Sequence, residues 1–189
     1  MYATSPSLVD RMIGAARLDP NTYENIEHDT NATGQAAIVV ILAAIAAGIG
    51  SLGGERAYGL GGFIWGAISA LVAWFVFAAL VYFVGTKLLP SPTTSSTLGE
   101  VLRTLGFAET PAILAVFGFL PVIGGLIWFI ASIWVLVTAI VAIRQSLEVT
   151  TGRAVAIGII AFLIPWIILA AIGLAFGVAL FGAMRAVGG

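Results

Sequence analysis

The stretch FIWGAISALVAWFVFAALVYFVGTKLL, residues 63–89, decides the fold. Its only charged side chain is Lys87, near the C-terminal end. An α-helix rises about 1.5 Å per residue, so about 20 apolar residues suffice to cross the hydrocarbon core of a bilayer. Residues 63–89 are therefore predicted to form a transmembrane helix, and the long side chain of Lys87 is expected to reach the headgroups.

The composition of the whole chain points to the same solvent. Of the 189 residues, 60% are hydrophobic and 9% are charged, whereas soluble domains carry about 25% charged residues. The net charge is −1 and there is no cysteine, so the sequence predicts no nucleic-acid partner, no disulfide and no thiolate metal site. The lipid bilayer is the predicted partner, and no cofactor is expected.

Four further apolar stretches complete a predicted all-α fold, a polytopic bundle of five transmembrane helices. Residues 107–143 would make a single helix about 55 Å long, which is too long for one crossing. A turn at residues 121–125, PVIGG, divides them into two spans, and a re-entrant hairpin is the alternative. The predicted transmembrane domain covers residues 35–189, with spans at 35–52, 63–89, 107–120, 125–143 and 154–184.

Residues 1–34 are polar and are predicted to form a cytoplasmic or interfacial segment with two short helices. SLVD, residues 7–10, is a capping box, and Asp19 before Pro20 signals the start of the second helix. Tyr23 lies on the apolar side of that helix, and the other side is acidic, with Glu24, Glu27 and Asp29. An amphipathic segment of this kind is expected at the lipid headgroups. A docking surface for a soluble partner is the alternative.

A second amphipathic segment, residues 97–105, precedes the third span. TLGE, residues 97–100, is a capping box, and apolar residues then recur at helical spacing, with Arg103 off the apolar stripe. The segment is too short to cross a bilayer. It is therefore predicted to be an interfacial helix.

The distribution of lysine and arginine predicts the orientation, because cytoplasmic loops are enriched in both. With the N-terminus inside, only Arg56 and Arg185 lie outside. The sequence therefore predicts a cytoplasmic N-terminus, an external C-terminus and a location in the cytoplasmic membrane. The side chains predicted to face the cytoplasm are Arg11, Arg17, Lys87, Arg103, Arg144 and Arg153.

Glu109, two residues before Pro111, is the one ionisable residue predicted to enter the membrane. A carboxylate there is costly, so it is a candidate ion, proton or partner site. The alternative is structural, because headgroup water and the helix N-terminus can both stabilise a negative charge in the first turn of a span. The other candidate functional or partner-contact residues are Pro111, Arg103, Asp19 and Tyr23.

Glycines at regular spacing are the candidate helix-packing positions. GIGSLG, residues 48–53, matches the dinucleotide pattern GxGxxG, but that pattern needs a preceding strand and a following helix. Here it lies at the end of a predicted membrane helix, so nucleotide binding is not expected. The spacing GxxxG lets helix backbones approach closely in lipid. The predicted pairs are Gly50 with Gly54, Gly62 with Gly66, and Gly173 with Gly177.

Catalysis is not predicted. The only histidine, His28, lies in the N-terminal segment, whereas a Ser–His pair for intramembrane proteolysis needs its histidine inside the bundle. A metal site would need several ligands together. The sequence therefore predicts that the protein is not an enzyme.

Three motifs in order carry a family resemblance: MIGAARLDPNTYE at 12–24, ATGQA at 32–36 and LRTLGFAETP at 102–111. The chain resembles, over essentially its whole length, the bacterial branch of the Yip (Ypt/Rab-interacting protein) family of five-span membrane proteins. The resemblance implies a five-span fold in a bacterial membrane. Eukaryotic members associate with prenylated Rab GTPases and with one another. The long acidic region and Asp-Leu-Tyr-Gly-type motif of that branch are missing here, so binding of a Rab-type GTPase is doubtful.

Two functions from different classes follow from these features. The first is a non-enzymatic scaffold or accessory subunit that binds other membrane proteins, or itself, through helix–helix contacts. The second is a small transporter or channel using Glu109, which predicts a flux in proteoliposomes that Glu109→Gln reduces. A third option, an influence on lipid organisation or curvature, rests only on the amphipathic helices.

Overall fold

A computed structural model describes residues 6–53, 60–92 and 94–187 of the chain. The described residues form α-helices, with 3₁₀-helical and π-helical segments between some of them. The 3₁₀ helices are Ser51–Gly53 and Thr110–Phe119, and the π-helix is Val84–Leu88. The helices are α1 (Leu8–Ala16), α2 (Pro20–His28), α3 (Ala32–Gly50), α4 (Leu60–Phe83), α5 (Leu98–Ala108), α6 (Gly124–Ser146) and α7 (Thr151–Val187).

Five segments are long and apolar enough to cross a membrane, which confirms the predicted all-α, multi-pass class. Each contains about 20 or more residues with few charges, the length that a bilayer requires. The segments are Ala32–Gly50, Gly61–Leu88, Leu98–Phe119, Gly124–Ser146 and Thr151–Phe176.

The third segment differs from the sequence prediction. A helix end at residue 105 and a new start at 107 were expected, but α5 continues through Gly106 to Ala108. Gly106 does not break the helix; it lets α5 approach α3, because a Cβ at Gly106 would lie 2.7 Å from the Cβ of Ala36. The predicted boundary at Gly106 is therefore wrong, and its glycine serves packing.

The 3₁₀ helix lengthens this third candidate span. As an α-helix, the predicted span 107–120 would be only about 21 Å long. A 3₁₀ helix rises about 2.0 Å per residue, so α5 followed by Thr110–Phe119 extends over roughly 36 Å. That length exceeds the hydrocarbon core, about 30 Å thick. The segment then ends at a turn at residues 120–123, which confirms the predicted break near Pro121.

The N-terminal helices pack on the bundle. Ser7 and Asp10 form the predicted capping box of α1, and Asp19 caps α2. Tyr23 and Ile26 are fully buried, because α2 packs against α1, α5 and α6. The apolar side of α2, expected at the lipid headgroups, is therefore covered by protein. The predicted contact of α2 with lipid is replaced by packing against α1, α5 and α6.

The connections described next lie at two ends of the bundle. Helices α1 and α2 share one end with the last turn of α6, since Gln145 donates a hydrogen bond to the carbonyl of Pro20 (3.5 Å). Arg153 of α7 bonds to the carbonyl of Pro90 (2.7 Å), which brings the linker after α4 close to the start of α7. The turn at 120–123 belongs to the opposite end, beside the C-terminus of α3, where Gly118 and Gly50 are neighbours.

Candidate functional site

Arg103 of α5 binds the C-terminal end of α2. Its Nε donates hydrogen bonds to the carbonyls of Ile26 and Glu27, both at 3.1 Å, and an Nη also donates to the carbonyl of Glu27. The last carbonyls of a helix have no intrahelical partner and carry the negative end of its dipole. Arg103 is only 6% exposed. Its guanidinium supplies donors for these carbonyls and a positive charge at the negative end of the helix dipole. Arg103 was expected off the apolar stripe, and the structure places it inside the protein.

Tyr23 joins three helices at the same place. Its hydroxyl lies 3.2 Å from the carbonyl of Ala15 on α1 and 3.3 Å from the carbonyl of Thr138 on α6, and it can donate to either. Thr138 in turn donates to the carbonyl of Ala108 at the end of α5 (2.7 Å). Burial raises the pKa of Tyr23, so the hydroxyl remains a neutral donor. In this conformation Tyr23 contacts protein and is closed to a soluble partner.

Arg11 fixes α1 to the beginning of α3. It is 3% exposed, forms an ion pair with Asp29 and donates to Oε1 of Gln35 (2.9 Å). The hydrogen bond from Arg11 holds the pKa of Asp29 below its usual value. In the sequence analysis Arg11 contributed only to the predicted orientation. Its neighbours in sequence do not distinguish a surface arginine from one that pairs with a residue beyond the next helix.

Asp19 has a local role. Its carboxylate accepts hydrogen bonds from the backbone N–H of Asn21 (3.1 Å) and from Oγ1 of Thr22 (2.8 Å). These bonds satisfy the first turn of α2, as expected for an aspartate before Pro20. Asp19, Tyr23 and Arg103 are thus brought together around one helix, α2.

Glu27 is the residue of this site that sequence reasoning missed. It was assigned to the acidic, outward side of α2, yet it is only 4% exposed. Burial, and then the negative charge of Glu100, raises the pKa of Glu27 to about 7. Part of the signal was present, since Glu27 lies at i+4 from Tyr23 and therefore one turn further along the same face of the helix.

Glu109 and Pro111 lie apart from α2, at the junction of α5 and the 3₁₀ helix. The backbone N–H of Glu109 donates to the carbonyl of Gly106 (3.3 Å), and its carbonyl accepts from Ala112 (2.9 Å). Pro111 is buried and occupies the first turn of the 3₁₀ helix. Glu109, half-buried, therefore lies near the middle of the segment Leu98–Phe119 and not at the start of a span.

An open apolar groove of about 530 Å³ separates α4 from α7. Beyond the groove, α7 leaves the bundle: every described side chain from Trp166 to Phe176 is exposed, with Trp166 at 60% and Phe176 at 74%. Pro165 lies within α7 next to this change. Residues lining the groove include Trp65, Val76, Phe162, Pro165, Trp166 and Leu169.

The glycines differ in what surrounds them. A Cβ at Gly50 would collide with the backbone oxygen of Ala115 on the 3₁₀ helix, so Gly50 packs within the chain. Gly66 and Gly173 have no atom near the position of a Cβ. Gly62 and Gly66 line an open cavity of about 540 Å³ between α3 and α4. Gly54 and the surroundings of Gly177 lie outside the described part of the chain.

A comparison with protein families gives the relationship. The model of the Yip1 domain matches residues 18–174. No curated protein and no solved structure matches the chain. The matched region includes α2 with its Arg103 contact and extends into all five candidate membrane segments. It confirms the resemblance carried by the three short motifs, and the chain therefore belongs to the Yip1 domain family.

Proposed function

We propose that the protein is a non-enzymatic scaffold or accessory subunit of the bacterial cytoplasmic membrane, acting through helix–helix contacts. The observation that carries the proposal is the exposed stretch Trp166–Phe176 of α7, together with the groove between α7 and α4. In lipid, helices associate through close packing and not through a hydrophobic drive. A helix pair that diverges leaves van der Waals contacts unmade, and a partner helix can make them.

The buried polar groups support a role without catalysis. Arg103, Tyr23 and Thr138 donate hydrogen bonds to backbone carbonyls of neighbouring helices. Their arrangement holds α2, α5 and α6 together. The scaffold therefore uses its polar residues to fix the N-terminal helices, and its apolar surface to bind.

Charge distribution supports the proposed orientation. Basic side chains gather at the end of the bundle that carries α1 and α2, and positive residues favour the cytoplasmic side. Acidic residues at that end do not weigh against this, since aspartate and glutamate contribute little to the rule. The basic residues of that end are Arg11, Arg17, Lys87, Arg103, Arg144 and Arg153.

Photo-crosslinking in native membranes tests the proposed contacts. A benzophenone amino acid replaces Phe162, which lines the groove and is 58% exposed. The matched control replaces Phe129 on α6, which is similarly exposed at 56% but does not line the groove. We expect discrete protein adducts from position 162 and lipid adducts from position 129.

The partner can be another membrane protein or a second copy of the chain, and the mass of the adduct distinguishes them. Lipid adducts alone at both positions would contradict the scaffold proposal. Equal protein adducts at both positions would also contradict it, because they would indicate crowding and not a binding groove.

A further inference from the structure

Glu27 lies inside the contact between α2 and the bundle without a partner for its charge. Its side chain shares a face with Tyr23 and Ile26 and is 4% exposed. No described residue donates a hydrogen bond to its carboxylate. A carboxyl group that loses most of its contact with water and gains no partner takes up a proton more readily than an exposed one.

The groups around Glu27 increase this effect. Glu100 on α5, Glu24 on α2 itself and Glu148 after α6 all act against its negative charge, and only His28 favours it. Two cations lie nearby, but neither donates a hydrogen bond to the carboxylate of Glu27. Arg103 donates to the carbonyls of Ile26 and Glu27, and Arg11 on α1 pairs with Asp29.

Neither an ion pair nor a metal site neutralises Glu27 in the part of the chain that the structure describes. Arg144 in the last turn of α6 forms no ion pair with Glu27 in the described part of the chain. Nor do three acidic or histidine side chains converge there as metal ligands would, within the described residues. The group best suited to neutralise Glu27 in the docked arrangement is therefore a proton.

We propose that the docking of α1 and α2 onto α5 and α6 is a proton-controlled latch, tight when Glu27 is protonated and loosened when Glu27 is ionised. Arg103 and Tyr23 stabilise the docked arrangement whether Glu27 is protonated or ionised. Ionisation of Glu27 therefore shifts the equilibrium between docked and undocked helices. The inference does not depend on the proposed scaffold function, because it concerns this chain alone.

The direction of the pH effect follows from linkage. The carboxyl has a pKa of about 7 when docked, whereas an exposed glutamate has 4.5. The docked state therefore binds the proton more tightly. Docking is strongest below pH 4.5, weakens as the pH rises towards 7, and changes little above that value.

Hydrogen exchange of α1 and α2 tests the latch, using the full-length protein in lipid nanodiscs between pH 5 and pH 8. After correction for intrinsic exchange, the opening equilibrium of wild type is expected to increase with pH, by at most about tenfold per pH unit. Glu27→Gln keeps the size of the side chain and cannot ionise. It is expected to remove the pH dependence and to hold the wild-type low-pH protection throughout.

The matched control is Glu24→Gln, one turn away on the exposed side of α2, where the side chain is 64% exposed. It should retain a clear pH dependence, with the transition moved to slightly lower pH, because one of the lesser charges that raise the pKa of Glu27 is removed. A flat wild-type profile overturns the proposal without any variant. So does a slope that persists in Glu27→Gln, or one that Glu24→Gln abolishes.

Discussion

Gly50 and Gly106 lie where the backbones of neighbouring segments approach closely. At Gly50 the neighbour is the carbonyl of Ala115, and at Gly106 it is the backbone and Cβ of Ala36. Backbone atoms cannot rotate away as the end of a side chain can. Single glycines therefore set the distance from α3 to α5 and to the 3₁₀ helix.

The substitution Gly50→Ala is expected to destabilise the protein by about 1–3 kcal/mol, the usual cost of overpacking. Gly66→Ala is the control, since no atom lies near the position of its Cβ, and it should be neutral or more stable by up to about 1 kcal/mol. Unfolding in mixed detergent micelles measures both. Equal stability of the two variants would show that the Gly50 contact relaxes without cost.

Single residues also mark the limit of sequence reasoning. Tyr23 and Arg103 were predicted to be contacts for a partner. Both are directed into the chain, towards carbonyls on other helices. The pattern of one helix indicates which face is apolar, but it does not indicate whether protein or lipid covers that face.

At the scale of elements, the join between α2 and α5 is the most specific contact of the N-terminal segment. The carbonyls of Ile26 and Glu27 would be buried without a donor if Arg103 were absent. An unsatisfied buried acceptor costs about 1–3 kcal/mol. This join therefore depends on one side chain.

Arg103→Met keeps most of the apolar stem and removes every donor. We expect docking of α1 and α2 to weaken by about 1–3 kcal/mol, and trypsin to cleave faster after the exposed Arg17 between these helices. Arg153→Met is the control, because Arg153 bonds to the carbonyls of Leu89 and Pro90 instead. Unchanged cleavage at Arg17 in Arg103→Met would contradict the assigned role.

At the scale of the whole molecule, the arrangement of turns gives the orientation prediction a sharp test. The loop 147–150 and helices α1 and α2 lie at one end, and the turn 120–123 lies at the other. If the N-terminus is cytoplasmic, each end must be accessible from one side only. The chain has no cysteine, so introduced thiols report without background.

Single cysteines at Asn21 and Thr150 are expected to resist an impermeant thiol reagent added to intact cells, while one at Val122 reacts. Val122 is 98% exposed, and Asn21 and Thr150 are also on the surface. Opening the cells should make positions 21 and 150 reactive. Labelling of position 150 from outside would reverse the proposed orientation, and the wild-type chain controls for non-specific reaction.

The sequence by itself determined the all-α class and the five candidate spans, because a bilayer imposes length and apolarity on each segment separately. Only the tertiary structure decided that Gly106 packs instead of breaking a helix, and that Thr110–Phe119 winds as a 3₁₀ helix. It also decided that Arg103 and Glu27, separated by 76 residues, meet in the interior. Burial of a polar side chain depends on helices far away in the chain, whereas a local pattern shows only which side chains share a face.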